Sequence, residues 1–174
     1  RFISFLRSLL PAKRGGSSTS GVHKIAVIVG HNKVAKGAYC AGKINQSEFE
    51  YNSLVAKYMK DLAESDPSIE VKIFYRKYLG RGQYKAEILE VYKRVNAWNP
   101  EVAEEEHFNS YSDPNVRRVE MLYWHDSSKS KQLASIALKN GMKLIDEVNG
   151  KIKPVTLSDN GGRSVQLCKC PIIL

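Results

Sequence analysis

Two imidazoles and a carboxylate, His31, Glu48 and His107, make a donor set able to hold a divalent metal. Zinc favours such ligands on rigid elements, with one position left open when it is to activate water. His31 follows the apolar run "KIAVIVG", Glu48 opens a helical pattern, and His107 closes a strand pattern, so each falls at the end of an element. A second chemistry competes around His31. Gly37, Gly42 and Lys43 have the spacing of a phosphate-cradling loop, G-x-x-x-x-G-K-[ST]. Ile44 stands where that loop needs a hydroxyl, and the capping box Ser47 with Glu50 starts the helix too late for Lys43 to enter its first turn. The nucleotide reading is therefore set aside. Spacing by itself leaves the metal reading open, because an isolated His can be a packing residue and Glu48 can be a first-turn carboxylate favoured by the helix dipole.

Other groups are candidates around this set. Glu105 shares the face of His107 on a strand and is either a partner for an imidazole N–H or a solvated charge at a sheet edge. Arg163 follows the turn signal "DNGG" and could reach substrate carboxylates. His125 reads as a surface residue, and His23 has no assigned role. Cys168 and Cys170 would share one face of a strand; without C-x-x-C pairs a zinc site there is a weak reading, and two packed strand residues the expected one. With Cys40 the cysteine count is odd, which argues against a disulfide framework.

The elements that must position these residues alternate. Strands are predicted at 24–29, 70–75, 102–108 and 119–124, with a last one in the tail "VQLCKCPIIL"; helices are predicted over 47–64, 83–98 and 129–148. This alternation predicts an α/β fold, an open twisted, mostly parallel sheet flanked by helices. Residues 1–21 read as an amphipathic segment, with Phe2, Leu6 and Leu9 at helical spacing, followed by a flexible linker from a preceding region; 22–174 read as one domain. The start at Arg1 and the apolar end at Leu174 suggest a piece of a longer chain.

The chain has 174 residues, 43% hydrophobic and 26% charged, enough for one core, and no apolar run long enough for a transmembrane segment. A formal charge of +9 favours an anionic partner. Aromatic residues are 9% and no basic run alternates with them, so nucleic acid is not an expected partner.

Several motifs add up in order. "VIVGHN" is a strand running into Gly-His; "EFEYNSLVA" has Glu48, Asn52 and Ala56 at helical spacing; "VNAWNPEVAEEEHFNS" supplies Asn96, His107 and Asn109; Glu120 with Tyr123 precedes Ser130 with Leu133 and Ala134. Over residues 24–174 the chain resembles the zinc-dependent N-acetylmuramoyl-L-alanine amidases of the Amidase_3 type, which cut peptidoglycan. The resemblance implies Zn2+ held by His31, Glu48 and His107, hydrolysis of the amide between N-acetylmuramic acid and L-alanine, and action at the bacterial cell wall as an autolysin, a phage lysin or a component carried in a virion or injection device. Asn109 is implied as a residue near the ligands. The family's general-base Glu would fall two residues beyond Leu174, so the domain is expected to be truncated there. The alternative is a catalytically weak or inactive wall-binding module of the same fold, joined to a larger assembly through residues 1–21. The loop "NKVAKGAYCAGKINQS" is basic where the family has an acidic, glycine-rich one, which implies a different cleft rim.

Overall fold

The computed structural model describes residues 21–42, 44–109, 118–143 and 149–174. The amphipathic segment over residues 1–10, nearly all of the expected linker, Lys43 and the far end of the third predicted helix lie outside them. β1 (His23–Val29) is the central strand, and the side chains of residues 25–29 are buried on both faces, as its unbroken apolar run requires. It pairs in parallel with β4 (Ile69–Tyr75) on one side and β5 (Val102–Glu106) on the other. β5 pairs in parallel with the short β8 (Ile172–Ile173), giving the order β4-β1-β5-β8. A second parallel pair, β6 (Arg118–Trp124) with β7 (Asn149–Val155), joins this sheet through reciprocal bonds between Leu122 and Leu174, the exchange typical of antiparallel neighbours. The small ribbon β2 (Tyr39–Cys40) with β3 (Gln46–Ser47) leads into the first helix.

Helices cover both faces. α1 (Glu48–Ala63) and α3 (Ser128–Gly141) pack on one face around Val27, Val29, Met59, Val71, Leu133 and Ile173. α2 (Tyr84–Trp98) and the short α4 (Gly162–Leu167) pack on the other around Ile28, Ile88, Val91, Tyr92 and Val165. Each fully buried aliphatic side chain here is worth about 1.5–3 kcal/mol. The Ser47 hydroxyl and the Glu50 carboxylate close the expected capping box at the start of α1.

The predicted fold class agrees with this architecture, and three details differ. The third strand stops at Glu106, so His107 stands just past the sheet. The tail is a strand only at Ile172–Ile173; α4 occupies residues 162–167, so Cys168 and Cys170 lie in the turn between them rather than on a strand. β7 was not predicted, because "NGKIKPV" carries two lysines, a glycine and a proline on what is an outer strand, where backbone groups need no second neighbour.

Candidate metal centre

Parallel strands deliver their ends to one edge of the sheet, and the centre is built there. β1 ends at Val29, and Gly30 donates its N–H to the Glu106 carbonyl at 3.1 Å, joining the exits of β1 and β5. The chain then turns sharply at His31, whose φ of 64° is the left-handed conformation that non-glycine residues rarely adopt. Asn32, fully buried, holds the turn: its Oδ1 accepts from the N–H groups of Val34 and Ala35, and its Nδ2 donates to Glu87 Oε2 at 3.0 Å. Glu87 in turn accepts from Leu79 N–H and faces the Arg76 guanidinium at 3.5 Å, tying three loops at the edge.

α1 brings Glu48 from the opposite side. The loop before it folds back, so that Glu48 N–H donates to Ala38 O and Phe49 N–H to Lys36 O. One turn further on, Asn52 donates to the Glu106 carbonyl at 3.0 Å, so the helix grips the strand end that carries His107. The result is a buried carboxylate between two imidazoles. Glu48 Oε1 accepts from Phe108 N–H at 2.9 Å and lies 2.8 Å from His107 Nδ1; Glu48 Oε2 accepts from Ala38 N–H at 3.2 Å and lies 3.3 Å from His31 Nε2. The two rings meet edge to face with centroids 5.1 Å apart.

One donor atom from each of His31, Glu48 and His107 lies within 4.8 Å of the others, a spacing that lets all three ligate one ion. Two glycines keep this space clear. A Cβ on Gly30 would stand 2.5 Å from the His107 ring, and one on Gly37 would stand 2.7 Å from both Glu48 Oε2 and His31 Cδ2. The donor chemistry and the space therefore fit a divalent metal.

The electrostatics fit as well. Burial opposes ionisation of Glu48, yet hydrogen bonding from His107, His31 and Phe108 N–H outweighs it and holds the carboxyl well below the usual carboxylate range. His107 is likewise disfavoured as a cation by burial, but Glu105 and Glu48 beside it push its pKa up to about 9 in the metal-free centre. Glu105 is 2% exposed on the interior strand β5, with Oε1 3.3 Å from His107 Nε2 and Oε2 accepting from Tyr92 OH at 2.8 Å. Its own ionisation, opposed by burial, is favoured by His107, Tyr92 and Ser164. A carboxylate behind a ligating imidazole fixes its tautomer and ring orientation.

The remaining candidates fall around the centre or away from it. Asn109 donates to Arg118 O and lines, with His107, Arg118, Glu120, Leu122 and Leu174, an open cleft of about 450 Å³. Arg163 opens α4 and acts electrostatically on Tyr84, which also feels Glu105. His125 stacks on Trp124 and pairs with Asp126, and His23 pairs with Glu101; neither belongs to the cluster. Local sequence pattern does not mark Gly37, Asn32 and Glu87 as supports of the centre, and marks Gly30 only weakly. The Gly-His pair is the signal for Gly30, whereas the others come together only through loops.

A mostly parallel α/β sheet thus carries at its carboxyl edge a His, Glu, His cluster that could hold a metal, and solved structures share the fold. An N-acetylmuramoyl-L-alanine amidase of Nostoc punctiforme matches with a TM-score of 0.65 at 20% identity, covering 91% of this chain and 79% of that one. An N-acetylmuramoyl-L-alanine amidase of Clostridium difficile 630 matches with a TM-score of 0.66 at 18% identity, over 88% and 78%. The catalytic domain of an endolysin targeting Clostridia difficile matches with a TM-score of 0.65 at 19% identity, over 87% and 79%. The fold is thus that of amidase catalytic domains. No protein-family model matches the chain, and neither does any curated protein.

Proposed function

We propose that this chain is a zinc-dependent N-acetylmuramoyl-L-alanine amidase domain acting on bacterial peptidoglycan at the cell wall. The observation that carries the reading is the convergence of His31, Glu48 and His107 within 4.8 Å on a fold shared with such amidases. Zinc held by these three residues would polarise the amide carbonyl and lower the pKa of a bound water toward about 7. The chain's own residues supply the rest. Glu48 is kept anionic by three donors, ready to bind without first losing a proton. Glu105 orients His107 by accepting from Nε2, leaving Nδ1 for the metal. The open cleft beside His107 gives an extended polymer access from the side, and Asn109 and Arg118 on its wall present polar groups to glycan and stem peptide.

Leu174 forms part of that same wall. In a longer chain the position two residues on would continue from this wall by about 7 Å of extended backbone. A Glu there would serve as general base, worth roughly 100- to 10,000-fold in rate.

The test is digestion of purified peptidoglycan by the zinc-loaded chain and by a chain extended past Leu174, with His107→Ala as control. Release of whole stem peptides with a free L-alanine amino terminus, absent in the variant, is the expected result. Zinc binding without release of stem peptides in either chain would overturn the amidase reading in favour of a wall-binding module. Release of terminal amino acids alone would point to a peptidase.

A further inference from the structure

Cys168 and Cys170 stand outside the metal centre, in the turn between α4 and β8, with their sulfurs 3.4 Å apart. The turn is held from both sides. Asn96, in the last turn of α2, donates through Nδ2 to Leu167 O at 2.9 Å and accepts through Oδ1 from Lys169 N–H at 2.9 Å, clipping the backbone on either side of Cys168. Just after Cys170, Pro171 O accepts from Ala103 N–H and Ile172 N–H donates to Ser130 Oγ, which anchors the start of β8. The two thiols thus face each other in a fixed frame, and about 1.4 Å separates their 3.4 Å contact from the bonded distance of about 2.0 Å.

We propose that Cys168 and Cys170 are a redox-active dithiol, oxidised to an intramolecular disulfide by exchange with a small disulfide, with Cys168 the attacking thiol. Both side chains are half-buried and line a recess of about 160 Å³ that also carries Lys129 and Lys169, so a small anionic disulfide such as glutathione disulfide meets positive charge on approach. The two sulfurs are not equivalent. The contact with the Cys170 thiol, together with the N–H groups of Cys170 and Lys169, draws the Cys168 pKa down despite burial. The same contact, and burial, push Cys170 far up. A thiolate attacks and a thiol waits, the division that disulfide exchange needs.

The balance is simple. The Cys168 thiolate attacks one sulfur of RSSR, forming a Cys168–SR mixed disulfide and releasing RS⁻. Cys170 then gives up its proton, which RS⁻ takes, and attacks the Cys168 sulfur, expelling the second RS⁻, which is protonated from solvent. Two cysteine thiols are oxidised by two electrons and one RSSR is reduced to two RSH. The new bond would close the turn that feeds β8, whose flank at Leu174 walls the metal cleft. None of this rests on the amidase reading.

The experiment equilibrates the purified chain with glutathione and glutathione disulfide at graded ratios, quenches with N-ethylmaleimide, and reads intact mass and peptide map. The expected product at the disulfide-rich end has Cys168 and Cys170 unalkylated, a mass about 2 Da below the dithiol form before alkylation, and Cys40 still available to the alkylating agent. Cys170→Ser should accumulate glutathione on Cys168, and in the parent chain at limiting alkylating agent Cys168 should react at least about tenfold faster than Cys170. Full alkylation of both sulfurs at every ratio, or a disulfide made with Cys40, overturns the proposal. Equal labelling of the two sulfurs of the parent chain at limiting reagent overturns the assignment of Cys168 as attacker. Should the variant fail to fold, the peptide map of the parent chain decides the first question, and its site-resolved labelling decides the second.

Discussion

Glu48 and His107 hold opposite charges in a buried pocket, and their proton states set what a metal must displace. With His107 raised to about 9, the metal-free centre is protonated at neutral pH, and zinc entry must release that proton. Apparent zinc affinity should therefore rise by about tenfold per pH unit up to pH ~9, then level; competition with a chromophoric chelator at several pH values checks this. Stability of the metal-free chain should move the other way. A His raised from 6.5 to about 9 by folding contributes stability fully present below pH 6.5 and lost as pH rises through 9, so the melting temperature should fall across that window. Glu105→Gln keeps the shape but weakens the acceptor behind His107; a loss of zinc affinity of about 10- to 100-fold is expected, with a lower melting temperature of the metal-free chain at neutral pH, where Glu105 pairs with protonated His107. An unchanged affinity would leave Glu105 as packing alone.

At the scale of elements, β5 mixes roles that its sequence, "VAEEE", conceals. Glu105 faces α2 and the imidazole, whereas Glu104 and Glu106 face α1 and α3, among apolar neighbours, each with one carboxylate oxygen that lacks a hydrogen-bond partner among the described residues. Burial raises the Glu104 pKa to about 7 and, with help from Glu104, that of Glu106 to about 9. Carboxyls raised by folding add stability that is complete below pH 4.5 and fades as pH climbs through these values. Glu104→Gln should thus raise unfolding stability at pH 8 by on the order of 1–3 kcal/mol, read as a higher melting temperature, and leave it unchanged at pH 4. The strand exits are tighter still. Gly30→Ala would place a methyl 2.4 Å from the Glu106 carbonyl and 2.5 Å from the His107 ring, so zinc binding should be lost even where circular dichroism shows a folded chain.

Over the whole molecule, the charge of +9 is the property that reaches a partner before any contact forms. Binding to isolated cell walls should weaken steeply between low salt and about 0.5 M, as pairing across solvent is screened within a few ångströms at that ionic strength. A sedimentation assay that shows no salt dependence would remove charge from the account of wall recognition. The described residues contain no helix long and apolar enough to cross a membrane.

The alternation of elements is written in local pattern, because an unbroken apolar run such as residues 25–29 and the helical spacing of Glu48, Asn52 and Ala56 each have one good structural solution. Local pattern also places His31, Glu48 and His107 at element ends, and the ordered motifs point to the amidase fold that the solved structures share. The relations between elements emerge only when the chain packs. The role of β5's three glutamates depends on the pleat and on which helices cover each face, and local sequence holds neither. The support of His31 by Asn32 and Glu87 depends on a loop meeting a helix start 55 residues away. The meeting of Cys168 with Cys170 depends on a turn that Asn96 fixes from the end of α2, where the sequence pattern had read a strand. Periodicity encodes which face of an element is buried, whereas contacts made through loops are set by how the packed elements close on one another.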